Sequence, residues 1–452
     1  MFVSQSALGE LKAGKARRAL AESRSIKKVV VLGANGTMGF GSGAIFASAV
    51  PEVTFLARTK EKAEQGLAAA CKMLRTNTIQ ARVKCGSYDA DLERAVAEAD
   101  LIFEAVTEIL DLKREFFARV DAARRPDSLV CTVTSGLSIN SLAEGRSDSF
   151  RKNFCGLHFF NPPNVIVGTE LIPGKETDPA VLDFLEAFAI EKLGRVIIRT
   201  HDTPGFAGNR VGFKVLNEAA QLAEEHGPLL IDALVGPYTG RAMTPLATID
   251  LVGWDIHRAI VDNIVELTKD EAHETLELPA YMKELMEKQG FLGRKAKNGF
   301  FTRDEDGSKL VLDPKTGRYV PAKSIALPDL SFIKEIAECH RRGEYEKGMA
   351  LFAKAPGDAA KLARKVIAGY IAYSFERVGE CTDTITGIDL IMGMGFNWAP
   401  PSVLVDVLGK DAAVAMIEEA GLRVPKLLAD AKPGEKLFDV PTINIGRFFV
   451  AG

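Results

Sequence analysis

The chain lacks the features that mark several large protein classes. It has six cysteines in 452 residues, Cys71, Cys85, Cys131, Cys155, Cys339 and Cys381, and none stands in a CxxC pair. That spacing offers neither a zinc finger nor a disulfide framework, so no metal site is expected and the cysteines read as reduced, mostly buried thiols of a cytoplasmic protein. Charge is nearly balanced at a net −3, with both signs interspersed and no basic block, which argues against nucleic acid as a partner. The field of the whole chain is weak, so any anionic ligand needs a local site. No apolar run is long enough to span a membrane. Residues 1–26 form a polar extension with several Lys and Arg and no apolar signal core, which argues against secretion.

What is present is the composition of an ordinary globular protein, 47% apolar and 26% charged, with length for two or three domains. Residues 28–32, KVVVL, suit a fully buried strand, and helical sequence follows from about Met38 to Ala49. VTFLA (53–57) completes a β-α-β unit. Further strand candidates are 101–106, 128–133, 154–160 and 195–200, separated by helical stretches that include 59–75, 89–98 and 179–192. The alternation predicts a Rossmann-type, doubly wound, mostly parallel sheet over residues 27–203.

After "DTPGFAGNR" (202–210) helical periodicity takes over, with stretches at 212–226, 255–268 and 279–289. Residues 303–322 are rich in turn formers and read as a connection or small hairpin, and helical pattern resumes from about Ser331. PLATIDLVG, from Pro245, and PSVLVDVLG, from Pro401, place Pro, Asp and Gly at matching offsets. Together with similar flanks, this predicts an all-α second half that is duplicated, 204–322 and 323–452. Two unrelated helices with a Pro start and a Gly end are the alternative.

"VVVLGANGTMGFGSG" (29–43) places a glycine turn between a strand and a helix start. In such a turn backbone N–H groups approach a pyrophosphate, and the helix N-terminus favours its charge. Gly33, Gly36 and Gly39 read G-x-x-G-x-x-G, one residue longer than the usual fingerprint, with Asn35 as the extra residue and Thr37 and Met38 inside the second half. Asn tolerates left-handed backbone better than most residues, so it suits a tight turn. Further along, His158 and Asn161 stand in "LHFFNPP", at a strand end, and Glu170 follows twelve residues later. A His–carboxylate pair is what a general base requires, because the carboxylate fixes the tautomer and stabilises the imidazolium.

These stretches resemble the L-3-hydroxyacyl-CoA dehydrogenase family. Besides "GTMG" and "HFFNPP", the matching segments are "FEAVTEILDLK" (103–113), "TSGLSI" (134–139), "ELIPG", "DTPGFAGNR", "PLATIDLVG" and "GFLGRKAKNGFF" (290–301), in the family's order. The resemblance implies a nicotinamide-dependent oxidoreductase of fatty-acid metabolism with an acyl-CoA substrate. In it His158 is the general acid/base, Glu170 its support, Ser135 a donor to the substrate's 3-oxygen, and Asn161 a contact to the thioester region. Asn209 completes the polar set, and Glu108 and Lys113 contact the nicotinamide half of the cofactor. Blander roles are open for several of these: Ser135 or Asn209 as helix caps, Glu108 and Lys113 as a solvated pair.

Three departures from the family stand out. Ala57 takes the place of the acid that ends the second strand and holds the ribose, and Arg58 follows. The resemblance favours NAD, whereas Arg58 suits the 2′-phosphate of NADP. The segment after that strand, 61–95, is shorter than the family's charged helical hairpin, so no CoA contacts carry over. Val133 replaces an asparagine in "TVTSG". A free hydroxy acid as substrate, or a non-enzymatic cofactor-binding relative, are the competing readings. The duplicated half suggests a monomer in which the repeat replaces a partner subunit, with a homodimer as the alternative.

Overall fold

The computed structural model describes residues 24–432 and 434–449, so most of the expected N-terminal extension lies outside the described residues. The chain divides into two compact units between Asp202 and Thr203. The first is an eight-stranded sheet in the order β3-β2-β1-β4-β5-β6-β7-β8. Its strands are β1 (Lys28–Leu32), β2 (Glu52–Ala57), β3 (Val83–Ser87), β4 (Leu101–Glu104), β5 (Leu129–Thr132), β6 (Phe154–Phe159), β7 (Gly168–Pro173) and β8 (Val196–Arg199). The first six run parallel in the doubly wound order, with the switch point between β1 and β4. β7 is antiparallel to β6, and β8 runs parallel to β7. Among the helices are α1 (Thr37–Ala49), α2 (Lys60–Leu74), α3 (Tyr88–Glu98), α4 (Leu110–Ala123), the short α5 (Ile139–Ala143) and α6 (Asp148–Lys152), and α7 (Pro179–Glu191).

Local chemistry sets these boundaries. The β-branched run Val29–Val31 is buried on both faces, as a central parallel strand requires. Thr59 caps α2 by accepting from Lys62 N, Ser87 caps α3 by accepting from Ala90 N, and Asp178 with Pro179 opens α7. In the core, Phe46 of α1, Phe103 of β4 and Phe159 of β6 meet edge to face with centroids 5.1 to 6.3 Å apart. This trio ties the helix behind the glycine turn to the strand that carries His158. Each such pair adds about 0.5–1.5 kcal/mol beyond the area it buries.

The second unit is helical: α8 (Gly208–His226), α9 (Pro228–Leu234), α10 (Pro245–Val252), α11 (Trp254–Leu267), α12 (His273–Leu276), α13 (Ala280–Gln289), α14 (Ser331–Arg341), α15 (Tyr345–Lys354), α16 (Asp358–Glu376), α17 (Ile385–Met394), α18 (Pro401–Leu408), α19 (Lys410–Glu419) and α20 (Lys426–Asp430). It is not purely α. Phe301–Arg303, Lys309–Asp313 and Arg318–Pro321 form a three-stranded antiparallel sheet, where the sequence suggested at most a hairpin.

Matching contacts run through the two helical halves. α8 and α16 are both 19 residues long and pack together, with α10 against α8 and α18 against α16. Gly253 and Gly409 end α10 and α18 with φ of 103° and 82°. The Asp250 carboxylate accepts from Phe300 N and Phe301 N at 2.9 and 3.0 Å; that of Asp406 accepts from Leu437 N and Phe438 N at 2.9 and 3.2 Å. Asp232 receives Leu246 N at the start of α10, and Asp389 receives Ser402 N at the start of α18. An ion cluster around the buried Arg210 joins the halves: Arg210 binds the partly exposed Asp270 at 2.7 Å and Glu380 at 3.0 Å, and the Tyr373 hydroxyl at 2.7 Å.

Candidate active site

The carboxyl edge of the sheet gathers the candidate residues of the first unit, and the strand order sets their sequence in space. After β1, Gly33 takes φ 79°. A Cβ there would lie 2.2 Å from Ala105 O, and one at Gly39 would lie 2.0 Å from Gly33 O, so both positions require glycine. Gly36 caps α1 and meets only Gly33 O, at 3.4 Å. The left-handed residue of the turn is thus Gly33, and Asn35 is exposed between Ala34 and Gly36. Asn35, Gly36 and Thr37 are exposed and Met38 half-buried, and the first turn of α1 has neither a side-chain cap nor an acidic residue. Uncapped N–H groups beside a glycine cradle fit the pyrophosphate of a dinucleotide. The Gly33 N–H donates to the Tyr88 hydroxyl at 2.9 Å. Burial pushes that phenol up to about 12, with the Gly33 N–H and Arg58 pulling the other way.

After β2, Ala57 is wholly buried and packs in the core with Ala34 and Ala63. Ala57 is thus a core residue that offers no ribose contact, and Arg58 is the first exposed residue beyond it. The segment that follows is one helix, a 3-10 turn at Thr78–Arg82 and β3, not a helical hairpin.

After β4, a charged cluster fills the space in front of β4 and β5. Lys113 Nζ sits 2.7 Å from Glu104 and 3.2 Å from Glu108, with 1% of its side chain exposed. The solvated-pair alternative fails for that reason. Burial pulls the Lys113 ammonium down, but Glu104 and Glu108 outweigh it and hold it above its ordinary value. Burial pushes Glu108 up, but Lys113, Thr134 and the Ser135 N–H outweigh it and hold it low. Glu108 Oε1 accepts from Thr134 Oγ1 at 2.5 Å, Ser135 N at 2.7 Å and Gly136 N at 3.3 Å, so it shapes the turn that presents Ser135. The cap of α5 is Ser138, not Ser135. Asp202 pins the same loop by accepting from Ser138 Oγ, Ile139 N and both nitrogens of Asn140.

On β6, His158 stands directly across the antiparallel ladder from Glu170 of β7. Its Nδ1 lies 2.7 Å from Glu170 Oε2, and the two side chains are 5% and 0% exposed. Phe160 leans on the imidazole with centroids 4.8 Å apart. Asn161 follows the strand, exposed and joined to Pro162 by a cis peptide bond. Asn209 belongs to the other unit. It is 4% exposed in the first turn of α8, whose cap position is Ala207, so Asn209 is not the cap.

Sequence reasoning missed Glu104, Thr134 and Tyr88. Glu104 had a signal, as the one charge within an otherwise apolar strand, LIFE. Tyr88 had none, because its bond to Gly33 spans two crossovers of the sheet.

A doubly wound sheet, a glycine cradle at its switch point and a buried His–Glu pair on the same edge define a dinucleotide-binding α/β protein with a helical second half. The chain belongs to the 3-hydroxyacyl-CoA dehydrogenase family: residues 28–203 match the family's NAD binding domain and residues 205–303 its C-terminal domain. A probable 3-hydroxyacyl-CoA dehydrogenase of Bacillus subtilis is 32% identical over 89% of this chain and 53% of its own length, so the chain spans about half of that relative. A protein of the same printed name from Deinococcus radiodurans is 32% identical over 62% of this chain and 84% of its own. The structure of 3-hydroxybutyryl-CoA dehydrogenase from Escherichia coli K12 shares the fold, with a TM-score of 0.67 and 23% identity over 90% of this chain and 98% of that one. No helix among the described residues is long and apolar enough to cross a membrane.

Proposed function

We propose that this chain is an L-3-hydroxyacyl-CoA dehydrogenase that interconverts 3-hydroxyacyl-CoA and 3-oxoacyl-CoA thioesters in the cytoplasm, as a monomer or homodimer. The observation that carries the reading is the His158–Glu170 pair at the carboxyl end of β6, on the edge that also bears the cradle. The nicotinamide cofactor supplies, when bound, a hydride acceptor or donor. Gly33, Asn35, Gly36, Thr37, Met38 and Gly39 would hold its pyrophosphate, and Glu108 and Lys113 would border its nicotinamide half. With Nδ1 donating to Glu170, Nε2 of His158 takes the proton of the substrate hydroxyl during oxidation and returns it during reduction. Glu170 fixes that tautomer and balances the charge the ring acquires. Ser135 orients the substrate's 3-oxygen and Asn161 its thioester end. We infer the same division of labour along the chain: 27–203 for the cofactor, 204–322 as the first helical domain and 323–452 as its repeat.

The single helix between β2 and the turn before β3 favours a second reading, a free 3-hydroxy acid as substrate, because the family's charged hairpin is missing there. Absorbance of the reduced nicotinamide, followed with acetoacetyl-CoA and with free acetoacetate, separates the two. Turnover of the thioester alone is expected. Turnover of the free acid alone would favour the second reading, and turnover of neither would leave a non-enzymatic binding protein.

A further inference from the structure

We propose that the cradle of this chain accepts NADP as well as NAD, with the Arg58 guanidinium holding the adenosine 2′-phosphate. The inference rests on reading Gly33–Gly39 as a dinucleotide cradle, and the placement of the β2 end carries it further. Leu56 O accepts from both Gly33 N and Ala34 N, at 3.1 Å each, so the last residues of β2 are bonded to the turn itself. On the far side of Arg58, α2 closes on the same turn: a Cβ at Gly66 would lie 2.2 Å from Ala34 O and 3.2 Å from Asn35 Cα. Arg58 therefore sits on the piece of chain that flanks the cradle between two anchored points. Its charge reaches the Tyr88 hydroxyl, which is bonded to Gly33.

In doubly wound dinucleotide folds an acid at this strand end accepts the ribose 2′-hydroxyl and repels a 2′-phosphate, whereas a nearby Arg accommodates the phosphate. This chain offers no such acid. Ala57 is sealed in the core. The next carboxylate along the chain, Glu61, is drawn to its own backbone N–H and to the Thr59 hydroxyl at the start of α2. Arg58 is exposed, and among the described residues no ion pair engages it. A guanidinium presents paired N–H donors that match two phosphate oxygens, so its contact with a phosphate monoester is directional as well as charged. A ribose that bears only hydroxyls gains much less from the same group.

The test is equilibrium binding of NADH and NADPH to the full chain, read by nicotinamide fluorescence, with 2′-AMP and 5′-AMP as competitors. The native protein is expected to bind both dinucleotides with dissociation constants within about tenfold, and 2′-AMP is expected to compete better than 5′-AMP. Arg58→Ala, at an exposed position, is expected to weaken NADPH by about ten- to a hundredfold, the effect of one charge-assisted contact. NADH should change by less than about threefold. Arg58→Lys should recover part of the loss and Arg58→Asp should deepen it. Binding of NADH without NADPH, or an equal effect of Arg58→Ala on both, overturns the inference and leaves the proposed function standing. Binding of neither overturns both.

Discussion

Buried carboxylates do different work in the two units. In the sheet unit Glu170 faces an imidazole and Glu104 an ammonium. In the helical unit Asp232, Asp250 and Asp389, with the half-buried Asp406, face backbone N–H groups at the start of a helix or in a neighbouring loop. A carboxylate that serves backbone donors needs only to remain an acceptor, so its role is architectural and can be copied with the fold. Asp232 and Asp389 hold corresponding places in the two helical halves, as do Asp250 and Asp406. A carboxylate that faces a group able to gain or lose a proton tunes a proton site, and the His–Glu pair stands at a single place on the sheet edge. What the repeats share is therefore a guide to architecture rather than to chemistry.

Substitutions can break this contrast. Glu170→Gln should lower kcat with acetoacetyl-CoA by about 10²-fold, within the range of general acid–base catalysis, while the melting temperature changes little. The opposite outcome, unchanged kcat with a large loss of stability, would place Glu170 among the architectural carboxylates. Asp250→Ala leaves Phe300 N, Phe301 N and the Trp254 indole N–H without their acceptor and should cost about 2–4 kcal/mol of unfolding free energy. Asp406→Ala should cost less, about 1–2 kcal/mol, because it removes two such bonds at a half-buried site. Denaturant titration measures both costs, and kcat of the folded fraction should stay within about twofold of native. Loss of turnover without loss of stability in either variant would blur the division.

A further effect is one of pH. Burial pushes Asp232 and Asp389 up to about 7 and Asp250 to about 6. These groups keep their protons in the folded chain at pH values where the unfolded chain has released them. Their contribution to stability is full below the ordinary carboxylate value and is lost as pH rises through about 6 to 7. Melting temperature should therefore decline between pH 5 and 8, and Asp232→Asn, which cannot ionise, should flatten part of that slope. A melting temperature that rises across this interval would contradict the burial argument.

Much of this was legible in the sequence, and the failures have physical causes. The six parallel-type strands read from apolar runs include every one but β3, whose VKCGS carries a lysine and a glycine that break the apolar run. β7 was missed because GTELIP owes its strand character to pairing with β6 rather than to its own residues. Without β7, Glu170 was only a carboxylate twelve positions away. With it, the antiparallel register places the two side chains face to face. The repeat was read from Pro, Asp and Gly alone. The companion pair Asp232 and Asp389 escaped because it lies upstream of the matched segments, where the halves differ in loop length. The turn places its left-handed conformation on Gly33, so Asn35 meets no such demand.

The account turns on His158 as the proton carrier. The most direct measurement is single-turnover oxidation of the reduced cofactor by acetoacetyl-CoA in His158→Ala, with cofactor affinity measured on the same sample. The account predicts a rate about 10²- to 10⁴-fold below native with cofactor affinity nearly unchanged. A rate close to native, with the cofactor still bound, would contradict it.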